Sequence, residues 1–233
     1  MKVISLGISD LDRCLGGGFP HPCLASIEGE FGAGKTVLTQ QIVHSMLREG
    51  LKVCVITTET ASKDYLRMMK SINLDASLKY ASGYLDIFPL HVEGGKWTKF
   101  LSSLFFRVAR NFLEINRSRY DAAVIDSLSV LAVNTPPHVF LTFITRMKNL
   151  VTSGKTIILT FHPQFLPEQS VMKLKASSDV YLVIANGKVA GMDVKVLKIV
   201  KLWGTAGERK SSVILEVNPH LGLRVLPLGG IKV

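Results

Sequence analysis

Gly29, Gly34, Lys35 and Thr36 occupy the fixed positions of the pattern G-x-x-x-x-G-K-[ST], with Glu30, Phe31, Gly32 and Ala33 between them. The chemistry of that spacing is phosphate capture. Glycines let successive backbone N–H groups converge on one anion, and a helix beginning at the lysine aims its positive dipole end at the same point. The lysine can reach the β- and γ-phosphates while the threonine hydroxyl ligates Mg2+, so the segment predicts a bound nucleoside triphosphate with its metal ion. A glycine turn that binds nothing is the alternative, and the flanking sequence argues against it. Leu24–Glu28 is a short β-prone run, and Val37–Arg48 carries apolar residues at helical spacing.

Asp126 is the second candidate. It ends the apolar run Ala122–Asp126 about ninety residues beyond the loop, where a carboxylate at the edge of a neighbouring strand holds magnesium. Its other reading is a cap, together with Ser127, for the next helix. Hydrolysis would also need a group that orients water, and Glu59, which follows the strand-like run Lys52–Thr58, is the candidate. Thr57, Thr58 and Thr60 surround it, so the cluster can equally cap a helix starting near Ser62. His162 follows the run Thr156–Phe161 and is placed either to sense a γ-phosphate or simply to pack against a loop. Nothing resembles a hydrolase triad, and the histidines and cysteines lack zinc-ligand spacing.

These residues need a scaffold that brings strand ends together, and the chain supplies the pattern for one. Strand-like and helix-like segments alternate through Thr156–Phe161, with a helix at Ser62–Ile72, a short strand at Leu85–Val92 interrupted by Pro89, and a helix opened by Pro136-Pro137. Between Trp97 and Ile115 the residues Trp97, Phe100, Leu101, Leu104, Phe105, Val108, Phe112 and Ile115 mark the apolar face of one long amphipathic helix. Lys99, Arg107 and Arg110 on it form either a binding stripe or, more simply, a solvated face. The expected architecture is α/β, a mostly parallel sheet with helices on both faces. The last third turns β-rich at Val180–Ala185, Val194–Leu202, Ser212–Val217 and Leu223–Leu226, with Asn186-Gly187 predicting a hairpin turn, so antiparallel strands close the C-terminal side.

With 233 residues and 47% apolar content, the sequence fits a single domain spanning 1–233, and no apolar stretch approaches the roughly 18 residues of a membrane helix. Asp10 and Asp12 stand where a signal peptide would be apolar, which points to the cytoplasm. Cys14, Cys23 and Cys54 read as free thiols. The net charge of +10 is spread out, without runs of like charge or basic residues interleaved with aromatics, so nucleic acid is not the expected partner.

Several segments together resemble the RecA-like ATPases of the KaiC and RadA branch. Gly7-Ile8-Ser9-Asp10-Leu11-Asp12, Leu15-Gly16-Gly17-Gly18-Phe19-Pro20 and the phosphate loop look like that branch's opening. Ile56-Thr57-Thr58-Glu59-Thr60, Ile87-Phe88-Pro89-Leu90 with Trp97, Asp126-Ser127-Leu128-Ser129, Phe161-His162-Pro163 and Val217-Asn218-Pro219 with Gly222 are most similar to the archaellum accessory ATP-binding family, FlaH/ArlH. The resemblance spans nearly the whole chain. It implies a RecA-type core holding ATP at Gly29 to Thr36 with Mg2+ at Thr36 and Asp126. It further implies a nucleotide-dependent scaffold that docks on the archaellum motor ATPase inside a membrane-anchored ring protein, with weak or absent hydrolysis and a homo-oligomeric ring as a common arrangement. KaiC-like relatives carry two adjacent glutamates where this chain has Thr58 and Glu59. They also send a Lys-x-Arg pair to the neighbouring subunit's phosphate; here Lys201 is kept and Trp203 replaces the arginine.

A DNA-stimulated recombinase of the RecA/RadA type is the alternative. Its mobile loops would fall at Ser129–Thr135 and Gln164–Ser170, which are short and contain no Lys or Arg. A clock-type autokinase or a small-metabolite kinase finds less support, because neither a presented acceptor residue nor an Arg-rich lid stands out.

Overall fold

The computed structural model describes residues 1–90, 98–189, 191–205, 207, 210–218 and 222–226. Val92, Trp97 and Pro219, used in the sequence reading, lie outside the described residues.

A short antiparallel pair, β1 (Lys2–Ile4) and β2 (Phe19–His21), flanks α1 (Ser9–Cys14). The core then alternates: β3 (Leu24–Gly29), α2 (Lys35–Arg48), β4 (Val53–Thr57), α3 (Ser62–Ser71), α4 (Ser77–Ala81), β5 (Leu85–Pro89), α5 (Lys99–Ile115), β6 (Ala122–Asp126), α6 (Leu128–Ala132), α7 (Pro137–Thr152), β7 (Thr156–Phe161) and α8 (Glu168–Ser177). β8 (Val180–Val189), β9 (Met192–Leu202), β10 (Ser212–Asn218) and β11 (Gly222–Leu226) follow. The main sheet has nine strands in the order β11-β10-β9-β8-β3-β7-β6-β4-β5. Strands β5, β4, β6, β7, β3 and β8 run parallel, and β9, β10 and β11 are antiparallel. The expected α/β architecture with antiparallel C-terminal strands is thus present.

The central strands are buried on both faces, which is why they read as unbroken apolar runs rather than alternating ones. Ala25, Ile27, Val55 and Val124 meet α2 and α3 in one core; Leu24, Ile56, Ala123, Ile125 and Leu159 meet α5, α6 and α7 in the other. Cys14, Cys23 and Cys54 are buried free thiols.

Helix α5 differs from the sequence reading in which face it buries. Thr98 caps it, accepting from the Leu101 N–H at 3.3 Å. Its inward face is Ser102, Phe106, Ala109 and Leu113, whereas Phe100 is 72% and Ile115 79% exposed, with Leu104 and Val108 also outside. The helix carries more apolar residues than one face can hold, and packing chose between two stripes. The small Ser102 and Ala109 allow close approach, and Phe106 slots against Phe143 with ring centroids 4.6 Å apart. Aromatic area buried there outweighs the longer outer stripe. Phe106→Ala should therefore cost about 3–5 kcal/mol of unfolding free energy. Phe100→Ala should stay within about 0.5 kcal/mol. Urea denaturation of the two variants checks the assignment; equal costs would reverse it.

A second difference concerns the C-terminal hairpin. Asn186-Gly187 is not its turn: β8 runs on to Val189, and Asn186 pairs with Lys195 within the ladder. Gly187 is needed for room, since a Cβ there would lie 2.9 Å from Val196 Cγ2.

Candidate functional site

Residues 30–34 leave the carboxyl end of β3 and return as α2. Gly34 sits at the helix N-cap with φ +101°, a conformation L side chains avoid, and no side chain caps the helix start. Its first N–H groups are therefore left without a side-chain cap, and an anion at that end would be stabilised by them and by the helix dipole. Gly29 answers a different need, because a Cβ there would come within 2.6 Å of the Ile184 carbonyl on β8.

Lys35 is buried at 6% exposure, and its Nζ donates to the Gly29 and Glu30 carbonyls, each at 2.9 Å, and to His162 Nδ1 at 3.3 Å. Burial lowers its pKa, partly offset by the charges of Glu59 and Asp126. A cation stripped of water and held by neutral carbonyls gains most from an arriving anion. Asp126 ends β6, also buried, and accepts from the Thr160 hydroxyl at 2.5 Å. Burial pushes its pKa up, while hydrogen bonds from Thr160 and Thr36 and the Lys35 charge pull it back. Thr36 and Asp126 thus share one spot beside Lys35, a hydroxyl and a carboxylate of the hard-oxygen type that Mg2+ selects. The residues present fit a nucleoside triphosphate with its Mg2+, and the metal would be held by these two.

The remaining candidates meet around His162. Its ring lies 3.9 Å, centroid to centroid, from that of Phe31 in the loop, and its backbone N–H donates to Ser129 Oγ at 2.7 Å. A lysine ammonium can only donate, so Nδ1 accepts and the ring proton sits on Nε2. That Nε2 is buried without a hydrogen-bond partner and faces Glu59 Oε1 at 3.5 Å. Burial and the nearby Lys35 lower the His162 pKa, so the ring is neutral at pH 7. Glu59 does not cap α3, whose N-cap is Ala61 with no side-chain bond. Above the histidine, Phe31, Glu59, Val130, Val133 and Phe165 line an apolar cavity of about 440 Å³.

Thr58 has a different task. Its hydroxyl donates to the Ser127 carbonyl and accepts from the Ser127 N–H, both at 3.1 Å, which stitches β4 to the end of β6. Lys201 lies far along β9, paired with Tyr181 at the level of Ser26, and donates to the Ala176 carbonyl at 3.1 Å. The structure does not bring it to the phosphate loop of its own chain. Sequence reasoning missed Thr160, Ser129 and the stacking of Phe31. Thr160 was recoverable, since β6 and β7 pair Ile125 with Leu159 and so place Thr160 beside Asp126.

Comparison with known proteins decides the family. The KaiC ATPase family matches residues 4–229. The chain belongs to the KaiC family of ATPases. Within it, the chain is 38% identical to the archaeal flagellar ATP-binding protein FlaH of Sulfolobus acidocaldarius, over 97% of both chains. It is 31% identical to FlaH of Methanocaldococcus jannaschii, over 95% of this chain and 94% of the relative. It therefore belongs with the FlaH proteins. The fold matches the crystal structure of the flagellar accessory protein FlaH from Methanocaldococcus jannaschii with a TM-score of 0.84 at 24% identity, covering 97% of this chain and 100% of that one. A KaiC-like protein of Pyrococcus horikoshii matches with a TM-score of 0.73 at 22% identity, covering 97% and 99%. Among the described residues, no helix of this KaiC-family chain is long and apolar enough to cross a membrane.

Asp126→Asn separates site from fold in this member of the family. The folded-state pKa of Asp126 is raised by burial, so the ionised carboxylate costs stability progressively as pH rises above the ordinary aspartate value, the full cost being present above the raised value, and a neutral amide lifts it. The variant should melt about 2–4 °C higher without nucleotide, on the scale of 1 kcal/mol for a chain this long. It should also lose Mg2+-dependent nucleotide binding. Thermal melts and titrations with and without Mg2+ read both effects, and unchanged Mg2+ dependence would remove Asp126 from the site.

Proposed function

We propose that this chain binds ATP with Mg2+ and uses the bound nucleotide as a conformational signal within the archaeal flagellar motor, hydrolysing it slowly or not at all. ATP is held by Gly29, Glu30, Phe31, Gly32, Ala33, Gly34, Lys35 and Thr36, with Mg2+ at Thr36 and Asp126. The partners are the motor ATPase and its membrane-anchored ring protein, which places this chain in the cytoplasm at the motor, as a single domain over 1–233. In a homo-oligomeric ring, Lys201 would serve the neighbouring subunit's phosphate.

One observation carries the signalling part. The Lys35 ammonium is shared between the loop carbonyls and His162, and His162 supports Phe31, which is 62% exposed. All three Lys35 N–H donors are engaged, so a polyphosphate must displace one of these partners, and the longest contact is the one to His162 at 3.3 Å. Its exchange for phosphate takes the Nδ1 partner from His162 and unsettles the platform under Phe31, so site occupancy is written onto a surface aromatic. A ligand that prefers one state shifts the population without turnover. Slow hydrolysis accords with the acids present. Glu59 faces His162, and Thr58, where relatives carry a second glutamate, is committed to the backbone of Ser127. Glu59 and His162 can hold a water and sense the γ-phosphate, but no second carboxylate follows β4 among the described residues to share the task.

Lys35→Ala should weaken ATP binding at least about tenfold, the scale of one lost charge-assisted contact, and weaken docking on the motor ATPase with it. His162→Ala should leave ATP affinity within about threefold, about 0.7 kcal/mol, while docking loses its ATP dependence. Pull-down with the purified motor ATPase, with and without ATP, reads both variants. ATP-dependent docking that survives in His162→Ala sinks the lever.

A further inference from the structure

β8 runs parallel to β3 with Gly29 paired to Ile184, yet β8 continues to Val189. The strand ends at 186–189 and 192–195 therefore project past the edge where β3 ends, beside the phosphate loop. There Lys195 Nζ donates to the Gly32 carbonyl at 2.7 Å and to Asn186 Oδ1 at 2.5 Å. Asn186 and Lys195 are direct cross-strand partners, so the amide fixes the lysine from the same ladder position. The stem lies along the loop, with Lys195 Cγ 3.9 Å from where a Cβ on Gly34 would be.

The Gly32 carbonyl is one end of a planar peptide whose other end is the Ala33 N–H. That N–H donates to the Glu30 carbonyl at 3.3 Å, the same oxygen that accepts from Lys35 at 2.9 Å. Pinning the carbonyl outward turns the N–H inward, toward the space that a nucleotide's phosphates would fill. To reach a phosphate the Ala33 N–H need only exchange its long 3.3 Å contact with the Glu30 carbonyl, provided that the peptide is still held from behind.

We infer that Lys195, set by Asn186, is a positioning residue for nucleotide binding: it acts through the Gly32–Ala33 peptide and ties the C-terminal hairpin to the phosphate loop. The inference rests on the reading that this loop binds ATP. It assigns a use to Asn186, whose place before Gly187 otherwise suggests only a turn, and to one lysine of the C-terminal strands.

The test is isothermal titration of ATP·Mg2+ and ADP·Mg2+ into the intact chain carrying Lys195→Met, Lys195→Arg, Asn186→Ala, or Lys195→Met with Asn186→Ala. Each melting temperature is also measured without nucleotide. Backbone N–H groups of such a loop cradle the α- and β-phosphates, so Lys195→Met should weaken both nucleotides alike, by about tenfold. Lys195→Arg keeps a cationic donor and should stay within about threefold of the parent. Asn186→Ala should weaken binding in the same direction, and the double variant should be no worse than Lys195→Met, as expected for two residues acting as one unit. Nucleotide-free melting temperatures should move by less than about 2 °C. Unchanged affinity in Lys195→Met overturns the inference. So does a melting temperature lowered by about 5 °C or more, which would make the contact a prop of the fold. Failure of the unsubstituted protein to bind either nucleotide overturns the ATP reading and this inference together, whereas parent binding that survives Lys195→Met overturns the inference alone.

Discussion

Strands β3, β7, β6 and β4 run parallel in a register that pairs Glu28 with Phe161, Ile125 with Leu159 and Thr57 with Asp126. Parallel ladders end together, so the residue after each strand emerges at one edge of the sheet. Lys35, Glu59, Asp126 and His162 are far apart in sequence and meet for that reason. Shifting any one strand by a residue would turn its side chains to the opposite face and scatter the group. The two apolar cores hold that register, and this is how burial remote from the loop supports chemistry at it.

What the edge collects is charge with little water. Lys35, Asp126 and His162 are all buried, and burial is the leading cause of each displaced pKa: down for the two bases, up for the acid. Lys35 and Asp126 are each satisfied by neighbours they would have to share with a nucleotide, whereas His162 Nε2 has no hydrogen-bond partner among the described residues. Lys35 leans on carbonyls and His162, and Asp126 on Thr160. Such a site is preorganised without being relaxed, because the contacts present are those a phosphate and a cation would replace. These contacts adjoin an exposed Phe31 and an apolar cavity.

Most of this was legible in the chain. The phosphate loop, the strand ending at Asp126 and the alternation of βα units rest on local chemistry, such as fixed glycines, apolar runs and proline at a helix start. Three matters were not legible, and each depends on residues distant in sequence. The buried face of α5 was settled by Phe106 finding Phe143 and Phe140, not by the helix's own period. Asn186-Gly187 carries the strongest local turn signal in the region, yet the longer β8–β9 ladder with Lys195 overrode it. The neighbours of His162 come from three separate segments, the phosphate loop at 31 and 35, then 59 and 129, and no spacing announces that they meet.

The Thr58 hydroxyl bonds both the N–H and the carbonyl of Ser127 and so limits what side chain position 58 can carry. A glutamate at this position would remove the hydroxyl and leave two buried backbone groups in want of partners, a loss of about 1–3 kcal/mol each. A second acid beside Glu59 would therefore have to arrive together with another way of joining β4 to β6.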